Sequence, residues 1–584
     1  MIDPEIGDVH LEIKEKVDFW HTRMQSKLLR FNTMADFWRL LKPTRPADLS
    51  GFANPQSTET TRATEAIATF LYRALTAAQP NFQFLSNNPM VTQEDLWTAE
   101  SVVGWQMTAT RYNRKLLKAC RSAALFGTVM VEEPWVVNTP YFEATDFVPR
   151  SLLQTGFDPL CFDIGSSPWK FVLDFVTEDQ LRAMSHKMPD VWDPQVMEDA
   201  LTLSSQTKNI PPEVNARLAN AGYQSYLGSS SQTSKMYQLV IYYGPLKSSP
   251  TGEFCAATLN DNATLKAHKS VYKRQPFTVA HLNEFELEPY GYGVGSIGEA
   301  KQPEINFNMG RMHDVLIFSL FNIWLASRSA NIKSAQLKAK PWGVIEVETD
   351  VENSLKALRP QIEAINFGLQ MDTMMKTDFR TTSGASDNLQ AIVTQASATE
   401  SSIAQTEAVR RLSVIAENIS ESLLREHVSK MHENNMTFLD KAFSLAVTGR
   451  DEGLKVYPSD LAVDVEVATK VVTDKDFRPQ RNKDLLQFLQ VVSSIRNQNP
   501  QLGQVNLEPF VEEFARGVGM NPKSVWQTIP QLPGMTAPAP NAPQAVMPNA
   551  ADQAEAVLGH LKSHAGSLGA AANQESVGRY AEAL

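Results

Sequence analysis

The chain is short of most of the residues and patterns that announce an enzyme or a secreted protein. It has 584 residues and three cysteines, Cys120, Cys161 and Cys255, widely spaced and without a CxxC pair. That excludes a disulfide framework and a thiolate zinc site, and it suits a reducing, cytosolic folding environment. No GxxxxGK[ST] loop is present, so a P-loop ATPase motor is excluded from the chain. HExxH and GxSxG are missing as well, and with them the helical zinc-protease site and the strand-to-helix nucleophile. Positive charge is in deficit: Lys and Arg number 54 against 65 Asp and Glu, a formal net charge of −11. A surface that coats nucleic acid by basic charge is therefore excluded, whereas one that lets DNA slide past is not. Long apolar runs are also missing. The most apolar helical stretch, Val315 to Ala326, contains Ser319 and Asn322. It falls well short of the roughly 20 residues a bilayer span needs. The N-terminus, MIDPEIGDVHLEIKEK, is acidic and polar and lacks the pattern of a secretory signal.

What is present is enough apolar residue, 43%, against 20% charged, for a large folded protein. At roughly 100–200 residues per domain, the length predicts three or four units. Ile13, Val17, Trp20, Met24, Leu28 and Leu29 recur at helical spacing, and a second helix is predicted over Thr60–Ala78 on Ala66, Ile67, Phe70, Leu71 and Leu75. A third starts near Thr92, and Gly127 ends the helical segment Lys115–Leu125 ahead of a strand, VMVEEPWVV. Further strands are predicted at Lys170–Val176, Tyr237–Tyr243 and Phe254–Leu259, the last two joined as a hairpin. Thr177 is placed to cap a short helix with Glu178 and Asp179 at its positive end, and GSSSQTS (Gly228 to Ser234) reads as a loop.

The C-terminal half is dominated by long helices. One is predicted from Ile297 to Ser327, ~45 Å at about 1.5 Å per residue. A basic stretch and a strand, PWGVIEVETD, follow, then a second helix over Val351–Phe379 kinked near Pro360. After a polar Ser/Thr/Gly stretch, a third runs from Ala398 toward Ala446, approaching ~70 Å. A strand at Leu461–Val472, helices at Asn482–Arg496 and Glu508–Gly517, and a Pro/Ala linker at Pro530–Ala551 complete the chain with an Ala-rich end. The fold class is α+β, mainly α.

Few residues read as chemistry. Gly293, Gly295 and Gly298 fit GxGxxG ahead of a helix, but a dinucleotide site also needs a following strand with an acid, and Asp314 falls inside the helix; a backbone turn is the expectation. Adjacent Glu132/Glu133 and Glu512/Glu513 point apart on any regular element and read as solvated surface. His427 and His432, five apart, read as structural. Arg328, Lys333, Lys338 and Lys340, with Trp342, are candidates for docking a partner or another subunit, and phosphate contact or a solvated face stays open for the basic cluster. Lys376 and Arg380, with Ser383 and Asn388 beyond them, are candidates for DNA contact. The apolar content of Leu316–Trp324 exceeds one stripe, so burial on more than one side is expected, with Met312, Leu316, Leu320, Ile323 and Trp324 as subunit-packing candidates.

The order of elements (long helix, short basic and β excursion, helix, polar loop, very long helix) resembles the core of phage portal proteins. EPYGYGVGS followed by Gln302, Asn306, Asn308 and Asp314 resembles that family's entry to its first stem helix. RYNRKLLKACRSAALFGTVMVEEPW (Arg111 to Trp135) and FDIGSSPWKFVLDFVTEDQLRAM (Phe162 to Met184) resemble its wing. The likeness covers about Lys115 to Arg496 and is closest to short-tailed phages. It implies a portal-like fold with long stem and wing helices, a β-containing wing and a small clip. Its parts would be a wing over 1–295, a first stem helix over 296–327, a clip over 328–350 and a second stem helix over 351–379. A tunnel loop over 380–397, a long wing helix with a returning strand over 398–480 and crown helices over 481–529 would follow, then a linker and crown extension over 530–584. It further implies a ring of about twelve copies closed by heterologous contacts, at a capsid vertex of the virion and assembled in the host cytoplasm. Non-specific, transient contact with double-stranded DNA goes with it. So do docking to the terminase large subunit and then a tail adaptor, contacts with the major capsid and scaffolding proteins, and no membrane, cofactor, metal or enzymatic activity. Two other readings stay open at this point: an internal virion or tail-scaffold protein built on long helices, and a dinucleotide-dependent enzyme using Gly293–Gly298.

Overall fold

The computed structural model describes residues 8–42, 52–77, 81–138, 142–189, 191–203, 236–259, 262–320, 323–326, 355–358, 363–385, 410–440, 443–445 and 454–469. All of them belong to one folded unit, Met1–Ala446 with Gly453–Asp474. The predicted loop Gly228–Ser234, the basic stretch Arg328–Lys340 with Trp342, Asn388, the helices after Asn482 and the linker after Pro530 lie outside the described residues.

In chain order the helices are α1 (His10–Trp38), α2 (Glu59–Thr76), α3 (Gln93–Ala109), α4 (Tyr112–Phe126), α5 (Glu178–Lys187), α6 (Pro194–Leu203), α7 (Val294–Leu320), α8 (Glu363–Ser383) and α9 (Glu426–Phe438). A π-helical turn, Ser420–Arg425, joins α9 to a helical segment over 410–419. Two capping boxes start helices where threonine and an N3 acid or amide coincide. Thr92 accepts from the Asp95 amide and opens α3, and Thr177 accepts from the Gln180 amide and opens α5. Gly127 ends α4 at φ 79°, a left-handed position that favours glycine.

A five-stranded antiparallel sheet carries the strands Thr155–Phe157, Lys170–Thr177, Met236–Leu246, Ser249–Leu259 and Ala263–Lys269, in that spatial order. The predicted hairpin is present, with a tighter turn than LKSSPTGE suggests, because Leu246 already pairs with Ser249. α1 covers this sheet. Ile13, Val17, Trp20, Met24 and Leu28 are buried, and Trp20 meets Phe171 edge-on at 5.3 Å. Leu29 is 49% exposed, because neighbours on a helix stand about 100° apart and it cannot share the seat of Leu28. A three-stranded sheet places Thr128–Glu132 between Phe277–His281 and Val148–Arg150, and the N-terminal strand Phe82–Leu85 pairs with Glu466–Thr469.

The long helices differ from expectation in their ends. α7 stops at Leu320, and Ile323–Ala326 is a strand paired antiparallel with Leu355–Leu358. Ile323 and Trp324, expected on a helix face, are therefore strand residues, as suits a β-branched and an aromatic side chain. Leu355–Leu358, expected within the second helix, is a strand, and α8 is described from Glu363; Pro360, where a kink is expected, lies outside the described residues. α8 then runs to Ser383, so Arg380 and Ser383 are helical. α9 ends at Phe438, ahead of a short strand, Phe443–Leu445, paired with Leu454–Val456. Of the strand expected over Leu461–Val472, Glu466–Thr469 is formed, after a 3-10 turn at Pro458–Leu461.

Candidate functional site

α7 and α8 form an antiparallel pair that frames the excursion between them. The Asn308 side-chain amide donates to the Gly368 carbonyl at 3.1 Å, and Lys301 pairs with Asp378 at 2.8 Å. A Cβ on Gly368 would lie 2.8 Å from Met312 Cγ, so glycine lets Met312 seat against the neighbouring helix of its own chain. The pair leaves large apolar side chains exposed among polar ones such as Arg311, Asn366, Gln370 and Thr373. Phe307 and Leu316 on α7, and Phe367, Leu369 and Met374 on α8, are 60%, 45%, 69%, 53% and 70% exposed.

The N-terminus of α7 shows what the glycine motif does. Cβ atoms on Gly293 and Gly295 would fall 2.4 Å from the Gly127 nitrogen and 2.6 Å from the Leu125 oxygen. The space a pyrophosphate would need is filled by the backbone at the end of α4. The glycines serve close helix packing, and the turn reading of GxGxxG holds.

Downstream, the polar residues of α7 hold the segment 52–60. Gln302 accepts from Thr60 Oγ1 at 2.8 Å and donates to the Ser57 carbonyl at 2.7 Å. Asn306 accepts from the Ser57 amide and Asp314 from the Ala53 amide, both at 2.8 Å. Asp314 is thus a backbone anchor. Arg380 grips the buried Glu59 with two hydrogen bonds of 2.8 Å, and Lys376 pairs with Asp372 at 2.7 Å. Both basic residues singled out for DNA contact are therefore already ion-paired within the chain. Ser383 donates to the Arg380 carbonyl.

Glu132 and Glu133 correct the solvated-surface expectation. Both are buried, at 2% and 0% exposure. They do point apart, but the middle strand of the three-stranded sheet is covered on both sides. Glu132 binds Arg150, which also reaches Asp174. Glu133 accepts from His427 Nδ1 at 2.7 Å and Thr278 Oγ1 at 2.8 Å and lies 3.2 Å from the Lys430 ammonium. Burial alone would raise the Glu133 carboxyl; the Lys430 charge, the His427 hydrogen bond and charge, and the Thr278 hydroxyl outweigh it and hold it at about 2. His427 also stacks on Tyr112 at 5.4 Å, and His432 Nε2 meets the Val463 carbonyl at 2.8 Å. Both histidines are structural, as their spacing suggests. The buried cluster signals itself in the sequence only through the apolar run TVMV before the two acids, since a strand apolar at every position is covered on both faces. Among the described residues no group of three His, Cys, Asp or Glu is placed to hold a metal ion, and no helix is long and apolar enough to cross a membrane.

Residues 314–559 match the family model described as the phage SU10 portal protein. No curated protein matches the chain. The matched region begins inside α7 and takes in α8 and α9, and it reaches past the Pro/Ala linker at Pro530, further than the likeness read from the residues. It starts well after Lys115, where that likeness begins. This match supports a phage portal protein.

Proposed function

We propose that the chain is a phage portal protein that assembles as a closed ring of about twelve copies at one capsid vertex of a short-tailed phage, a channel for packaging and ejecting the genome. One observation carries the ring: Phe307, Leu316, Phe367, Leu369 and Met374 stand exposed on the α7–α8 pair. Exposed Phe and Met side chains are of the types enriched at interface cores, and Phe367 and Met374, two turns apart, share one side of α8. Heterologous packing of one copy's pair against the next covers them and closes the ring. In this reading the segment between the strands Ile323–Ala326 and Leu355–Leu358 is the clip, and Arg328, Lys333, Lys338, Lys340 and Trp342 dock the terminase and then a tail adaptor. Lys376 and Arg380 face DNA as ion pairs without net charge, which suits a wall along which DNA must slide. The role is structural, and ATP is hydrolysed by the docked motor.

Negative-stain microscopy and native mass measurement of the purified chain test the ring. A closed ring of about twelve copies is expected, and the triple substitution Phe307→Ser, Phe367→Ser, Met374→Ser should leave helical circular dichroism unchanged while shifting the mass to smaller species. A monomeric wild-type chain, or a triple variant that assembles like wild type, overturns the reading.

A further inference from the structure

Two loops are built to present apolar side chains to a partner. They cover residues 158–166 and 283–292, and Phe157 and Tyr290, at their feet, meet ring to ring at 5.5 Å. The second loop closes on itself. The Tyr292 amide donates to the Asn283 carbonyl at 2.9 Å, and the Asn283 side chain donates to the Tyr292 carbonyl at 3.2 Å. Its base is fixed: Tyr290 is buried, the Gly291 amide donates to Thr128 Oγ1 at 2.8 Å, and Lys27 holds Glu288 at 2.9 Å. From this base Phe285 and Leu287 project, 65% and 73% exposed. Leu287 sits at φ 61°, a left-handed conformation unfavourable for a branched side chain. In the first loop Asp158 accepts from the Leu160 amide, and Asp163 accepts from the amides of Gly165 and Ser166. These turns hold Leu160 and Phe162 outward, 66% and 59% exposed.

Compact surface loops whose ends meet are frequently functional, and rigid apolar tips lose little freedom when they dock. The charge pattern selects the partner. The loops carry Asp158, Asp163, Glu284 and Glu286, with Glu288 paired to Lys27, and neither 158–167 nor 282–293 contains a lysine or arginine of its own. Such a surface repels nucleic acid, and it is poorly matched to a second copy of a chain whose net charge is −11. We propose that these two loops form one docking face for another protein, which offers an apolar pocket rimmed by lysine or arginine. The inference is independent of the ring.

The test uses the full-length assembly and a labelled synthetic amphipathic helix with leucine on one face and lysine on the other, followed by fluorescence anisotropy. The same peptide with glutamate in place of lysine is the control. The lysine peptide binds and the glutamate peptide does not. Phe285→Ser with Leu287→Ser, and Leu160→Ser with Phe162→Ser, each weaken binding by about tenfold or more without changing charge. Leu11→Ser, an exposed leucine on α1, leaves it unchanged. Equal binding by the loop variants, or none by wild type, overturns the proposal. Dissociation of the assembly by the loop variants, read by native mass, overturns it too, since the loops would then join copies. A wild-type chain that forms no ring strikes the ring reading and leaves this one standing.

Discussion

Replacing Glu133 by glutamine is the substitution whose cost the structure determines most closely. The side chain is wholly buried, and its two oxygens face three donors: His427 Nδ1, Thr278 Oγ1 and the Lys430 ammonium. A carboxylate accepts from all three. Glutamine offers one accepting oxygen and turns its NH2 toward groups that themselves donate. Lys430 keeps the Phe277 carbonyl and Thr278 Oγ1 but loses its counter-charge in the interior. Breaking a buried pair from one side costs about 3–5 kcal/mol. A second route agrees with the lower end. The carboxyl is held at about 2 against an ordinary value of about 4.3, and a difference of about 2 units is worth ~3 kcal/mol. The sign fixes the pH window. A depressed folded-state value stabilises fully above the unfolded value and is lost as pH falls through ~4 toward 2. Urea unfolding followed by circular dichroism at pH 7 should therefore show Glu133→Gln less stable by about 3 kcal/mol. The gap should close between pH 5 and pH 2 as wild type surrenders what the variant already lacks. A variant within ~1 kcal/mol of wild type at pH 7, or a gap that stays constant with pH, refutes the reasoning. Adding Lys430→Met to Glu133→Gln removes the stranded charge and should recover part of the loss.

Two further perturbations probe the frame of the helix pair. Arg380→Ala strands the buried Glu59 carboxylate and should cost about 3 kcal/mol or more. Arg380→Lys keeps the charge without the two-pronged grip and should fall between; an unchanged melting temperature in both would refute the pairing. Gly293→Ala drives a Cβ to 2.4 Å from the Gly127 nitrogen, so α7 must back away from α4 and the melting temperature should fall sharply. Gly104→Ala, inside α3 with nothing within 4 Å of the added Cβ, should instead stabilise by about 0.5–1 kcal/mol. Equal melting temperatures for the two glycine variants would show that the close approach carries no weight.

These outcomes bear on which parts of the molecule its sequence can announce. The buried stripe of α1, the start of α3 near Thr92, the threonine cap of α5 and the glycine stop of α4 were legible because each is decided within a few residues, by periodicity, a short hydrogen bond or a permitted dihedral. The end of α7 was not. Ile323-Trp-Leu-Ala carries on an apolar pattern that suits either a helix or a strand, and its strand partner, Leu355–Leu358, lies across a long insertion. Glu132 and Glu133 escaped for a related reason. The rule that neighbours point apart was right, yet its conclusion, solvent, assumed that one face of the strand is open. His427, which covers the other face, is 294 residues away. The candidate assembly surface was half legible. A long helix apolar on several sides tells that it is covered more than once, but not which side chains its own chain covers. Of the packing candidates Met312 packs on Gly368 of its own chain and Leu316 is exposed, while Phe307, Phe367 and Met374 drew no attention and are exposed too. A surface kept for another copy is defined by subtraction, once every neighbour in the same chain is in place. That is why Leu316 could be singled out from the helix pattern while Phe307, Phe367 and Met374 stood out only in the fold.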